Sequence, residues 1–201
     1  MSKKLILASA SPRRKEILDT AGYSYEVIPS KADEVMEGEC AYSLAELNAL
    51  AKAKEVFNRL GDENAVVLGA DTVVSVNGRV LGKPTDEGDA FSMLKELSNS
   101  THEVISGFAV VGKDAFDSGF CVTKVKFRDL SDEEIRDYIA TDEPKDKAGS
   151  YAIQERACLF AESFEGDFFN IIGLPIQKLY FPLKKLGILP EWQKNSKNCI
   201  G

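Results

Sequence analysis

An α/β fold built on a twisted, mixed sheet flanked by helices is what this sequence predicts, and three observations predict it. Segments of strand and helix periodicity alternate along the whole chain; Asn77-Gly78 lies between two alternating apolar runs, as in a tight antiparallel hairpin; and other strands are separated by helices long enough to carry crossovers. With 201 residues, 44% of them hydrophobic, there is material for one sizeable core and too little for two. Residues 1–190 are therefore read as one domain and 191–201 as a polar C-terminal tail.

The elements follow in order. Leu5-Ile6-Leu7 reads as a buried strand leading into a helix, with Ser11 as N-cap and Pro12 at the first helical position, where its missing N–H costs nothing. Tyr25 to Ile28 alternates like a strand. Ser43 with Glu46 reads as a capping box for a helix that carries Leu44, Leu47, Leu50 and Ala51 and ends near Gly61. Val66-Val67-Leu68 forms another buried run, and residues 74–81 form the hairpin, which puts Asp71 and Thr72 between the two. Ala90, Met93, Leu94 and Leu97 share a helical face. Residues 104–111 and 120–127 read as strands joined through 112–119. Ser131 and Glu134 open a further helix, ended at Glu143-Pro144, and a last helix runs from Pro175 to Gly187.

Four stretches carry chemistry. Ser9-Ala10-Ser11-Pro12-Arg13-Arg14 sits at a strand-to-helix junction, where free backbone N–H groups and two guanidiniums suit an anion. Taken alone, it reads equally well as a solvated first turn balanced by Glu16 and Asp19. In Gly69-Ala70-Asp71-Thr72 an acid follows a buried run at a strand end, where open α/β sheets bind ligands; a lone Asp there is more often a turn former. Gly82-Lys83-Pro84 fixes where a compact positive charge points, or is a simple loop. Residues 142–154 place Lys147 near Gln154, whose amide offers a donor and an acceptor suited to a base edge. Glu34 and Lys54 are further candidates. His102 has no partner at a telling spacing and receives no role.

Composition narrows the classes. A formal charge of −7 with no basic stripe argues against a general nucleic-acid binder. Cys40, Cys121, Cys158 and Cys199 lie far apart and form no zinc-ligand spacing, so they read as reduced thiols of a cytoplasmic protein. The apolar stretch after Lys3-Lys4 is too short for an export signal, and no later run has membrane-spanning length. Neither nucleic acid nor membrane is expected as a partner; a homodimer is allowed but not required.

Taken together, Leu7-Ala8-Ser9 through Arg14, Gly69-Ala70-Asp71-Thr72-Val73, Gly82-Lys83-Pro84, Glu143-Pro144 with Lys147-Ala148-Gly149, Gln154, and Gly173-Leu174-Pro175 resemble the Maf family of nucleotide pyrophosphatases, from Leu5 to about Leu186. The resemblance implies two lobes around a cleft, a fold similar to the inosine triphosphate pyrophosphatases, and a divalent cation, Mg2+ or Mn2+, as cofactor. It makes Asp71 the catalytic acceptor that activates water, with Glu34 and Asp71 holding the metal. Ser9, Arg14, Lys54, Lys83 and Lys147 become the phosphate-binding set, and Arg13, Thr72 and Gln154 the residues that discriminate the base. Thr72 with Gln154 resembles the branch that cuts dTTP and UTP, including modified pyrimidine nucleotides, to monophosphate and pyrophosphate. A 7-methyl-GTP pyrophosphatase and a nucleotide-binding regulator of septum formation are the alternatives. The sequence departs from the family at Glu155-Arg156-Ala157-Cys158, where glycines are usual, which bears on base preference.

Overall fold

Three parallel-paired strands begin the architecture. β1 (Lys4–Leu7) lies between β2 (Tyr25–Val27) and β3 (Ala65–Val76), with α1 (Pro12–Thr20) and α2 (Ala41–Leu60) as the connecting helices. The computed structural model describes residues 3–35 and 40–194. From β3 onward the pairing turns antiparallel: β4 (Arg79–Leu81) folds back on β3, and β5 (Thr101–Val111), β6 (Phe116–Phe127) and β7 (Ala161–Glu165) extend the sheet in the order β2-β1-β3-β5-β6-β7. The remaining helices are α3 (Glu87–Leu97), α4 (Asp132–Ile139), α5 (Phe168–Ile172), α6 (Ile176–Lys185) and α7 (Glu191–Lys194). The sheet is mixed, as expected, and has seven strands.

Alternation along β3 decides what each face does, because successive side chains point to opposite sides of the pleat. Val67 and the glycine at 69 face α2, which packs with Ala49, Ala53 and Val56 on Ile6, Ala109 and Val111. The approach is close: a Cβ on Gly69 would fall 2.2 Å from the Ala49 carbonyl oxygen, and one on Gly107 only 2.1 Å from that of Ala45. On the other face, Leu68, Ala70, Phe108 and Val110 pack under α1 and α6 with Leu18, Leu179 and Leu183. Farther along the same face, Val74, Val104, Val125 and Phe127 pack under α3 and α4. Between these two apolar clusters runs a polar row, in which Thr72 is paired with Ser106 and Ser106 with Cys121.

Several local expectations hold. Asn77 and Gly78 both take positive φ, 51° and 78°, at the β3–β4 turn. Gly61 ends α2 in the left-handed region, and Ser131 with Glu134 makes a full capping box on α4. Others need correction. The Ser43–Glu46 pair is no cap: α2 already begins at Ala41 after Cys40, the Ser43 hydroxyl donates to the Cys40 carbonyl, and Glu46 accepts from Ser118. Asp71 is not at a strand end but inside a twelve-residue β3, because the run Thr72-Val73-Val74 stays extended against β5. β5 and β6 are joined by residues 112–115 only. α4 stops at Ile139, and Pro144 instead lies in a 3-10 turn, Glu143–Asp146. Within the expected tail, α7 docks: Trp192 Nε1 donates to the Ala21 carbonyl and the Glu191 N–H to that of Gly22. Residues 195–201 of that tail lie outside the described residues. Among the described residues no helix is long and apolar enough to cross a membrane.

Candidate active site

The site opens where β1 stops and β3 continues. β1 pairs with β3 only as far as Leu7 opposite Leu68, and the chain then turns through Ser9 into α1. Three residues beyond Leu68, Asp71 projects from β3 toward α2. Lys52, one helical turn beyond Asn48 on α2, reaches it: Lys52 Nζ lies 2.7 Å from Asp71 Oδ1 and 2.6 Å from Glu34 Oε1. The Lys52 and Asp71 side chains are only 13% and 12% exposed, so that pair is held with little water, whereas the Glu34 side chain is 44% exposed. Asn48, itself buried, donates to Asp71 Oδ2 at 3.3 Å and pairs both ways with the backbone of Val35, which fixes the segment that carries Glu34. The hydrogen bond from Lys52 holds the Glu34 carboxyl below its usual range; burial opposes this, and the charges of Lys52, Lys83 and Arg14 add to it.

On the opposite side of β3, Arg14 makes no direct ion pair among the contacts of the described residues. Its guanidinium donates from Nε to the Gly173 carbonyl (3.0 Å), from Nη1 to Ser9 Oγ (3.0 Å) and from Nη2 to Thr72 Oγ1 (3.3 Å). Burial lowers its pKa from the ordinary value, with the charge of Asp71 acting against that shift. Gly173 sits at φ +117°, ends α5 and turns its carbonyl toward Arg14; a Cβ there would press on Thr72 Oγ1 at 3.2 Å. Arg13 is half-buried on the neighbouring turn, close enough to Glu155 and Asp146 to feel both charges.

Two loops close the rim. The Gly149 N–H donates to the Gly82 carbonyl at 3.0 Å, which ties the loop of Lys147 to the loop of Lys83. Gly149 has φ +67° and lies directly on Val74, where a side chain would not fit. Lys147 is 18% exposed and stands 3.8 Å from Glu155. Lys83 and Gln154 are exposed. Arg156 pairs with Glu143, whose carboxylate also accepts the Arg156 N–H, so the charged stretch after Gln154 folds as a 3-10 turn.

The structure thus gathers Ser9, Arg14, Thr72, Asp71 and Glu34, with Lys83, Lys147 and Arg13 around them. Lys54 is elsewhere: its ammonium lies over the Phe116 ring, 5.4 Å from the centroid, and Lys52 occupies the place expected of it. Helical phase carried the missing signal. The buried residues of α2 are Ala41, Leu44, Ala45, Asn48, Ala49, Ala53 and Val56; Lys52 follows Asn48 by four residues on that face, whereas Lys54 is rotated about 200° from Lys52. Ser106 and Asn170 were also missed, because a serine in a strand and an asparagine in the apolar run Phe168–Ile172 carry no local sign of what they touch.

Cations and carboxylates interleaved around one stretch of β3, in an α/β fold, form an arrangement that suits an anionic ligand. The family model for Maf-like protein matches residues 4–186, and the chain belongs to this family. Among its relatives, the dTTP/UTP pyrophosphatase of Thermococcus gammatolerans is 49% identical over 186 residues, 91% of this chain and 96% of that protein. The dTTP/UTP pyrophosphatase of Alkaliphilus oremlandii is 51% identical over 182 residues, 88% of this chain and 93% of that protein. Of solved structures, the Ham1 protein of Staphylococcus aureus matches 62% of this chain and 72% of its own, with a TM-score of 0.45 and 16% identity.

Proposed function

We propose that this protein is a nucleoside triphosphate pyrophosphatase that hydrolyses dTTP and UTP, and modified pyrimidine relatives, to the monophosphate and pyrophosphate. The observation that carries the reading is the Lys52–Asp71–Glu34 cluster, facing Arg14 across β3 in a chain whose relatives bear that name. A triphosphate entering the cleft brings negative charge that Arg14, Lys52, Lys83 and Lys147 are placed to neutralise. Ser9 orients Arg14 and can donate its own proton to a phosphate oxygen. Asp71 is the group to accept a proton from the attacking water, and the lysines stabilise the departing pyrophosphate. In this reading Arg13, Thr72 and Gln154 discriminate the base.

The donor set fits a divalent cation. Two carboxylates, Asp71 and Glu34, already converge on one positive charge, that of Lys52. Among the described residues no group of three or more His, Cys, Asp or Glu could cage a metal. One or two carboxylates completed by substrate phosphate oxygens is the usual way Mg2+ is bound, and Mn2+ suits the same oxygens. When bound there, the cation supplies charge neutralisation at the phosphate and a more acidic water.

The reading places the enzyme in the cytoplasm, with a nucleotide as its partner and no nucleic acid or membrane; a homodimer is compatible with it. It is tested by pyrophosphate release from dTTP, UTP, CTP and 7-methyl-GTP, with Mg2+ or Mn2+ and with chelator. Metal-dependent release from dTTP and UTP is expected, with Asp71→Asn slower by about a thousandfold. Release from 7-methyl-GTP alone would overturn the pyrimidine reading. Silence across the panel would leave the nucleotide-binding regulator of septum formation.

A further inference from the structure

Four polar groups link the cleft to α5 through the row between the two apolar clusters. Arg14 donates to Thr72 Oγ1 at 3.3 Å, Thr72 Oγ1 and Ser106 Oγ are 2.9 Å apart, and Ser106 Oγ lies 2.9 Å from the Asn170 carbonyl oxygen. The proton in the middle contact has one consistent direction. A guanidinium only donates and a carbonyl only accepts, so Arg14 gives to Thr72 and Ser106 gives to Asn170. Ser106 has one hydroxyl proton and the Asn170 carbonyl takes it, so the 2.9 Å contact between the two hydroxyl oxygens needs the proton of Thr72. Thr72 therefore donates to Ser106.

The far end cannot rearrange. Asn170 is fully buried: its Oδ1 accepts the Ser106 N–H, and its Nδ2 donates to the Val104 carbonyl and to Thr123 Oγ1. Thr123 Oγ1 donates to the Asp167 carbonyl. Ser106 and Thr123 are also 0% exposed, so no water competes for these groups.

We infer that Ser106 is a specificity-determining positioning residue: by taking the only proton of Thr72, it leaves Thr72 Oγ1 as an acceptor toward the cleft, selecting a substrate N–H donor. This rests on the pyrimidine nucleotide reading above. Uracil and thymine share an imide N3–H, whereas N3 of cytosine is an acceptor, so a hydroxyl that cannot donate and is met by N3 rejects cytosine. Without Ser106, the Thr72 hydroxyl is free to rotate and donate, and the rejection weakens. The sugar hydroxyls and, in cytosine, the 4-amino group beside N3 are the other donors these nucleotides offer.

The test measures kcat and KM of the full chain for UTP, CTP and 3′-deoxy-UTP, in wild type, Ser106→Ala, Ser106→Thr, Thr72→Val and the Ser106→Ala/Thr72→Val double variant, with thermal unfolding alongside. Ser106→Ala is expected to lower the UTP to CTP ratio of kcat/KM by about tenfold, mainly through the KM values, with kcat on UTP little changed. Ser106→Thr, which keeps the hydroxyl, should restore the ratio. Thr72→Val should lower it as well, and the double variant should go no lower than Thr72→Val alone. Equal loss on UTP and CTP would show that Ser106 only holds α5 and would overturn the inference. So would a change confined to the UTP to 3′-deoxy-UTP ratio, or a wild type that cuts CTP as well as UTP. A wild type that releases pyrophosphate from no nucleotide would overturn the pyrophosphatase reading, and this inference with it.

Discussion

Asp71 and Thr72 are consecutive residues, yet they are held by opposite kinds of interaction. Asp71 faces α2 and is fixed by ions, with Lys52 bridging it to Glu34. Thr72 faces α5 and, besides the donation it takes from Arg14, is fixed by neutral hydrogen bonds through Ser106 to a fully buried Asn170. The ionic side can exchange partners, since a metal or a phosphate is able to replace one charge with another at modest cost. The neutral side cannot, because each buried donor and acceptor already has its match and losing one leaves another unpaired. On the proposed function, chemistry and recognition are thus divided between the two faces of one strand.

The strongest way to break this comparison is to remove the bridging cation. Lys52→Met should reduce kcat/KM by about a hundredfold. It should also move the acid limb of the pH–rate profile to higher pH, since the hydrogen bond that keeps the Glu34 carboxyl low is gone. Lys54→Met on the same helix serves as its control and should leave kcat/KM within about twofold, its ammonium being occupied with Phe116. Equal losses in the two variants would contradict the assignment of Lys52.

Asn170→Ala attacks the neutral face. It strands the Ser106 N–H and the Val104 carbonyl, and should cost about 3 kcal/mol in urea unfolding. A cost below about 1 kcal/mol would mean that the row is less rigid than its geometry.

The smallest effect sharpens the contrast from outside the cleft. His102 is buried with Nε2 2.7 Å from the Tyr151 hydroxyl, and burial lowers its pKa to about 4. The unfolded state therefore binds the proton more readily than the folded one. Stability present at neutral pH is lost as pH falls from about 6.5 toward 4, by about 2 kcal/mol between pH 7 and pH 5. Unfolding midpoints for wild type and His102→Gln across that range check it; parallel slopes would assign the loss to other groups.

Local chemistry made much of this fold readable. The Asn77-Gly78 turn, the Ser131 capping box and the Gly61 helix end each rest on a few neighbouring residues, and those are the features that sequence reasoning places correctly. What failed depended on distant partners. β3 runs through Asp71 because β5 pairs along it, and Ser43 does not start α2 because the chain is already helical at Ala41. α5 and β7 escaped notice because Phe168–Ile172 and Ala161–Glu165 are short and lack a clear period. In the site, the acid and the arginine pair stood out by residue type and position. Lys52 was separable from Lys54 only by helical phase, and Ser106 and Asn170 only by knowing which strands lie side by side.

Gly69 and Gly107 let α2 rest directly on the sheet, at a separation that a single methyl group would forbid. The two glycines act as a gauge block. They set how close α2, which carries Lys52, lies to the strand that carries Asp71. An alanine at either position, Gly107 in β5 or Gly69 two residues before Asp71 in β3, would change that clearance without altering one charged group.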